Sequence, residues 1–361
     1  LNILELTYAQ LADQFARRYG RGAYHAAAVY RAIFKLGSTD LDGLPEFRES
    51  PELARQIGRD LLLPADAVIQ RQCQGGTTKL LFQLGDGLSI ESVVIPMAGH
   101  TTLCISSQIG CRMGCTFCET GRMGWQRNLS VAEITGQVYQ SLMTEGHAVR
   151  NVVFMGMGEP LDNFDNVVQA IRVLSDQRGL NIPLRRITVS SVGHIDGIRR
   201  LAGLKWPQLK LAVSLNAPND AIRQGLMPVN RRFPMDSLRK TLLDYPLHQK
   251  GAILFEYVLI KNINDHREHA CQLAEYLRPM QAKLNLIAYN PRRRSPYTPP
   301  TLQDYERFRQ WLLDQGLFVC RRISKGQSIR AACGQLGRRS NGPRGTDTRR
   351  RWHLQHGSQF S

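Results

Sequence analysis

The chain has 361 residues, with 47 lysines and arginines against 30 acidic residues, a formal charge of +17 and a pI near 9.9. At 42% hydrophobic residues it is too apolar for a disordered chain, and its length allows one large domain plus a smaller one. No stretch reaches the ~18–20 consecutive apolar residues of a membrane span, no export signal stands out, and eight cysteines are too few for a disulfide scaffold, so a reducing, cytoplasmic setting and an anionic partner are expected.

From residue 4 to about 64, apolar residues recur at helical spacing, with Tyr24, Ala27, Val29, Tyr30 and Ile33 in one stretch and Leu53, Ile57 and Leu61 in another. This predicts a small helical domain over residues 1–66. Residues 67–98 switch to a period of two, over 78–84 and 90–96, around the turn Gly85-Asp86-Gly87, which predicts a β-hairpin extension. Between 99 and 336, β-branched runs at 102–106, 151–155, 186–191, 210–215, 252–260, 283–289 and 317–322 alternate with helical patterns near 130–146, 164–177, 194–203, 235–245, 265–278 and 301–315. That pace predicts βα units and an α/β fold with a parallel sheet or barrel. Residues 337–361 hold six arginines and one acid, Asp347, and read as a basic, disordered tail.

The most specific feature is Cys111-Arg112-Met113-Gly114-Cys115-Thr116-Phe117-Cys118, a CxxxCxxC cluster just after the first strand of the series. Soft thiolates suit zinc or an iron–sulfur cluster. A closed zinc site needs a fourth ligand, which would have to come from a distant residue such as His147. A cubane held by three cysteines leaves one iron open to a cofactor. Gly158-Glu159 follows the second strand, as either a tight turn or a site where a backbone approaches a ligand and a carboxylate meets its ammonium. Cys104 and Cys333 are isolated, and composition alone suits buried small hydrophobes as well as nucleophiles; Cys73, Cys271 and Cys320 read as structural. By pattern, Glu91 in its alternating strand faces water. Arg185-Arg186, Arg231-Arg232 and Arg292-Arg293-Arg294 fall beside expected top-face loops and could neutralise phosphates.

The CxxxCxxC loop resembles that of the radical S-adenosylmethionine superfamily. The runs 104–111 and 124–129, then Gly156-Met157-Gly158-Glu159-Pro160-Leu161, and finally Ala331-Ala332-Cys333-Gly334-Gln335-Leu336, are similar to the RlmN/Cfr family of RNA adenine methyltransferases, over about residues 20–336. The resemblance implies an incomplete parallel (β/α)6-type barrel with a [4Fe-4S] cluster on Cys111, Cys115 and Cys118. It also implies S-adenosylmethionine bound by Gly158, Glu159, Ser190, Ser214, Leu215, Asn216 and Asn290, with Asn216 where relatives usually carry His. Glu119 likewise stands where a small residue is usual. By the same resemblance, Cys333 accepts a methyl group as S-methylcysteine, Glu91 accepts the ring proton, and Cys104 releases product through a transient disulfide. Carbons C2 and C8 of adenine are not nucleophilic, so such a methylation needs radical chemistry. The implied substrate is ribosomal RNA, with C2 ahead of C8 and transfer RNA as a further substrate, and the implied partner is an electron donor such as flavodoxin or ferredoxin, with the enzyme a monomer. The competing reading is a non-catalytic, zinc-stabilised RNA-binding protein.

Overall fold

In the computed structural model, which describes residues 1–62, 67–249, 251–292, 294–322 and 324–337, the chain opens with three helices, α1 (Tyr8–Tyr19), α2 (Ala23–Arg31) and α3 (Pro51–Asp60). Thr7 and Gln10 cap the start of α1 reciprocally, and Gly20 ends it in the left-handed conformation. Leu11, Phe15, Val29, Tyr30, Phe34, Phe47 and Ile57 close a core of their own. Tyr24, part of the same periodic stretch, is instead 64% exposed. The end of the expected helical domain, residues 63–66, lies outside the described residues.

Next come β1 (Ala67–Gln74), β2 (Thr77–Gln83) and β3 (Ser89–Met97), each antiparallel to its neighbour. The expected hairpin is the β2–β3 pair. β1 is an additional strand: with Gln70, Arg71, Gln72 and Gln74 it lies at the sheet edge, so it carries little apolar alternation. After β4 (His100–Cys104), a loop bearing β5 (Gln108–Gly110), α4 (Glu119–Met123) and β6 (Trp125–Asn128) leads into α5 (Val131–Tyr139). Strands and helices then alternate: β7 (Val149–Phe154), α6 (Phe164–Ser175), β8 (Ile187–Ser191), α7 (Ile195–Gly203) and β9 (Lys210–Ser214). Two helices, α8 (Asp220–Leu226) and α9 (Met235–Leu243), precede β10 (Ile253–Leu259), followed by α10 (Arg267–Leu277), β11 (Ala282–Ala288), α11 (Leu302–Asp314) and β12 (Val319–Arg322).

β4 and β7 to β12 pair in parallel, each beside the next in chain order, while β3 joins β4 antiparallel. Sequential order without a reversal is the winding of a barrel, and among the described residues β1 and β12 remain as unpaired edges, so the barrel is open. Side chains such as Phe154, Val189, Leu211, Phe255 and Leu286 fill the space between sheet and helices, each worth ~1.5–3 kcal/mol when fully buried. Ala132 and Tyr139 of α5 and Val173 of α6 belong to the core of the N-terminal helices, which dock there, and the Tyr8 amide donates to Asp176 at 2.7 Å. Among the described residues no helix is long and apolar enough to cross a membrane.

Candidate active site

The strand direction puts the loops after β4, β7, β8, β9 and β10 at one end of the sheet. Cys111, Cys115 and Cys118 lie on the first of these loops, the first two 8% and 7% exposed and the third partly buried. The loop is held from several sides. The Cys111 amide donates to the Gly124 carbonyl at 3.1 Å, the Thr116 amide to Leu226 at 2.9 Å, and the Thr116 hydroxyl meets Tyr297 Oη at 2.7 Å. Arg292 donates through Nε and Nη2 to the Thr116 carbonyl at 3.2 and 2.8 Å. Arg112 pairs with Asp162 at 2.9 Å and stacks 4.0 Å above the Trp125 ring.

Burial pushes all three thiols up, so without a metal they are neutral. Among the described residues no three His, Cys, Asp or Glu side chains converge tightly enough to chelate a single ion. Three soft sulfurs on one buried loop fit a cluster whose irons take one thiolate each. His147 lies in the turn entering β7, at the opposite end of that strand from Gly158-Glu159, so it cannot complete a zinc site with this loop.

A cavity of about 150 Å³ opens beside the loop, with Cys115, Cys118, Gly158, Glu159, Ser190, Ser214, Asn216 and Cys333 on its walls. Glu159 is 2% exposed; Oε1 accepts the Leu161 amide at 3.1 Å and Oε2 the Val192 amide at 2.9 Å. Burial outweighs these donors and pushes its carboxyl up to about 7. Gly158, at φ 99°, is required: a Cβ there would sit 2.6 Å from Gln108 Cβ. Gln108, which sequence reasoning missed, accepts the Glu159 amide at 2.8 Å and donates to Asn128 and Asp162 at 2.9 and 2.8 Å, tying the cluster loop to the Gly-Glu turn.

Asn216 adopts φ 57°, a conformation asparagine tolerates better than most residues, and its Oδ1 accepts the Val258 amide at 2.9 Å. Leu215 and Asn290 stand behind the wall. Leu215 is fully buried, its amide bound to Glu256 and its carbonyl to Arg223. Asn290 donates to the Cys333 carbonyl at 3.2 Å and accepts from Gln327 at 2.7 Å.

Cys104 and Cys333 are both free thiols. Cys104 ends β4, and burial, with the nearby Cys333, pushes its thiol up to about 12. Cys333 is accessible from the cavity yet deep enough that desolvation raises it too, opposed by the Arg322 guanidinium. Its segment is seated on α4: the Glu119 amide donates to Gly334 at 2.8 Å and Thr120 Oγ1 to Leu336 at 2.6 Å.

Glu91 does not face water. It is 3% exposed, with the Lys79 ammonium 3.0 Å from Oε1 and the Gly337 amide 2.7 Å from Oε2. Because Val93 of β3 pairs with Cys104 of β4, Glu91 and Cys104 lie on the same face of the sheet.

The arginine clusters divide. Arg231 and Arg232 are exposed beyond α8, on the side of Met227, which lines the cavity. Arg185 and Arg186 lie in the turn entering β8, at the other end of the strand from Ser190, which corrects the expectation that they border the top-face loops. Arg292 braces the three-cysteine loop through the Thr116 carbonyl, a role the sequence reading did not assign it. Arg293 and the tail arginines, residues 338–361, lie outside the described residues.

A partial barrel with three thiols on the loop after its first parallel strand, and a buried Gly-Glu turn after its second, is the arrangement that the resemblance to radical S-adenosylmethionine enzymes implies. Residues 105–274 match the Radical SAM superfamily model. The chain is 43% identical over 338 residues to "Probable dual-specificity RNA methyltransferase RlmN 1" of Protochlamydia amoebophila, covering 93% of this chain and 94% of that one. It is 41% identical over 339 residues to the dual-specificity RNA methyltransferase RlmN of Syntrophotalea carbinolica, covering 93% and 89%. A crystal structure of a radical SAM methyltransferase from Sphaerobacter thermophilus superposes with a TM-score of 0.85 at 36% identity, covering 93% of this chain and 99% of that one. The chain belongs to the radical SAM superfamily, in the RlmN family. Membership brings the superfamily's cofactors, a [4Fe-4S] cluster and S-adenosylmethionine, and removes the zinc-stabilised binding protein from consideration.

Proposed function

We propose that this radical SAM enzyme methylates an adenine carbon of 23S ribosomal RNA, at C2 in preference to C8, and that it also accepts transfer RNA, using a methyl group carried on Cys333. The observation that carries the reading is a free thiol, Cys333, on the wall of the cavity beside the three-cysteine loop, close enough to the buried free thiol Cys104 to raise it. The words "dual-specificity" in the relatives' names support two RNA classes.

Cys111, Cys115 and Cys118 would hold the cluster, and Gly158, Glu159, Ser190, Ser214 and Asn216 would hold S-adenosylmethionine, with Leu215 and Asn290 supporting from behind. When bound, the two together supply a methyl group and a carbon radical. The Glu159 carboxylate would meet the cofactor's ammonium. Cys333 takes the methyl group as a thiolate, the nucleophilic form, which the positive charge of Arg322 favours. Glu91 takes the ring proton so that aromaticity returns. With the base still joined to Cys333 through the transferred carbon, the Cys104 thiolate then attacks the Cys333 sulfur: the S–S bond forms, the S–C bond breaks, and its electron pair leaves with that carbon, which takes up a proton to become the methyl group of the freed base.

The target base must be unstacked to reach the cavity. Exposed Arg231, Arg232 and Arg294, with the tail arginines, would neutralise phosphates, while the N-terminal helices read RNA shape. The enzyme would act as a cytoplasmic monomer supplied with electrons by a flavodoxin or ferredoxin. Nucleoside mass spectrometry of RNA from cells with and without the gene tests the assignment. Loss of 2-methyladenosine is expected, and Cys333→Ala should reproduce it; unchanged methyladenosine in every RNA class would overturn it.

A further inference from the structure

Lys79 is a charged side chain to which the scheme above gives no task. It lies in the middle of β2 and is 8% exposed, a rare state for lysine unless paired. The strand register makes the pair. Leu81 of β2 stands opposite Glu91 of β3, and Lys79, two residues back, points from the same face to the diagonal position. Its ammonium reaches Oε1 of Glu91 at 3.0 Å.

The other groups on this face do not compete for that charge. Gln70 and Gln72 of β1 and Leu81 of β2 are neutral, and together with Lys79 and Glu91 they enclose a space of about 10 Å³, room for about one water. From β4 the nearest titratable group is Cys104, whose thiol is neutral because burial pushes it up to about 12. Among the described residues of the C-terminal segment, the Gly337 amide meets the carboxylate, 2.7 Å from Oε2. Among the described residues the carboxylate thus has one cation, on Oε1, while Oε2 faces the segment that carries Cys333.

Such a pair is a poor way to hold a sheet together. Taking two charges out of water costs several kcal/mol each, and apolar side chains of similar volume hold a sheet as well or better. A carboxyl buried this deeply without a cation would take a proton from solvent and could not receive another.

We propose that Lys79 is a positioning residue for the ring-proton transfer: it keeps Glu91 ionised and occupies Oε1, so that Oε2, on the Cys333 side, is the oxygen that receives the proton. This rests on Glu91 being the base. In the step, the C–H bond at the ring carbon joined to Cys333 through the transferred carbon breaks, its electron pair stays with the ring, and the proton moves to Oε2, turning the carboxylate into a carboxylic acid. Lys79 stays an ammonium throughout, and Oε2 has a second lone pair beside its contact with Gly337.

The test uses the full-length, cluster-loaded enzyme and RNA deuterated at the target carbon, with deuterium release to solvent as the readout. Lys79→Met is expected to slow release about 100-fold at pH 7, and the loss should shrink as pH rises, because alkali re-ionises Glu91. Lys79→Arg should restore most of the rate at pH 7. Methyl transfer to Cys333, read from the mass of its peptide, should stay at the wild-type level in each variant. In cluster-free protein, Lys79→Met should show a protonated-carboxyl infrared band at pH 7 that the double variant with Glu91→Gln lacks. If Lys79→Met does not fold, Lys79→Gln is read by the same criteria.

Wild-type release in the Lys79 variant alongside slow release in Glu91→Gln would overturn this proposal alone. Wild-type release in Glu91→Gln would overturn the base assignment and this proposal with it. A loss that neither alkaline pH nor arginine relieves, or the absence of the infrared band, would mark Lys79 as merely structural and overturn the proposal.

Discussion

Glu159→Gln removes a buried carboxyl that burial pushes up to about 7, against an ordinary value of 4.5. The gap corresponds to about 3 kcal/mol. Because the folded, empty site binds the proton more tightly than the unfolded chain does, the carboxyl's contribution to folding is fully present below 4.5 and is lost as pH rises through 7. Wild type should therefore lose about 3 kcal/mol relative to the glutamine variant between acid and mildly alkaline pH. Urea unfolding of reduced, metal-free protein at several pH values measures this, and subtracting the variant cancels every other titrating group. The same carboxyl governs proposed cofactor binding. With an ammonium to meet, the ionised form is needed, so affinity for S-adenosylmethionine in the cluster-loaded enzyme should fall about tenfold per pH unit below 7. In the glutamine variant it should be weak and flat with pH. A stability difference that does not change with pH would refute the reasoning, since it would mean that the empty site already holds a carboxylate.

Arg292→Ala should strip two donors from the Thr116 carbonyl and lower the iron and sulfide content of purified protein, while the salt dependence of RNA binding stays unchanged. A full cluster with a shallower salt slope would return Arg292 to the RNA surface. Truncation after Gly337 removes the tail arginines but keeps the amide that meets Glu91. It should weaken RNA binding and flatten its salt dependence in filter-binding assays, with cofactor cleavage intact; loss of cleavage would show that the tail serves the barrel.

Whatever depends on short stretches of chain was legible in the sequence. The three cysteines sit within one loop, so their spacing alone announces a shared ligand. The parallel strands are β-branched runs between amphipathic helices, and each appears near its expected place. α8 escaped notice because a seven-residue helix has too few turns to show a periodic face. The burial of Glu91 does not follow from the alternating pattern for a different reason: its partner is on the neighbouring strand, and only the register shows that Lys79 and Glu91 share a face. A lysine and a glutamate placed diagonally across a predicted hairpin were a usable signal. Arg185-Arg186 was misplaced although strand direction alone decides it, since residues that precede a parallel strand lie at the end away from the ligand loops.

The relation between Cys104 and Cys333 could not be read locally, and the structure shows how the chain arranges it. Cys104 is fixed by β4 within the sheet, but Cys333 lies beyond the last strand, where no ladder holds it. Its position comes from side-chain and backbone contacts alone. The helix that begins directly after Cys118 receives Gly334 and Leu336 on its first residues, Asn290 holds the Cys333 carbonyl, and Gly337 ends on Glu91. The three-cysteine loop, Cys333 and Glu91 are thus joined through one short segment, so its hydrogen bonds, each worth ~0.5–1.5 kcal/mol, together with the burial of Ala331 and Leu336, set the geometry of the site. In the proposed scheme that geometry has two partners to serve, because a methyl group carried on Cys333 must meet both a small cofactor in the cavity and a base presented by a large RNA.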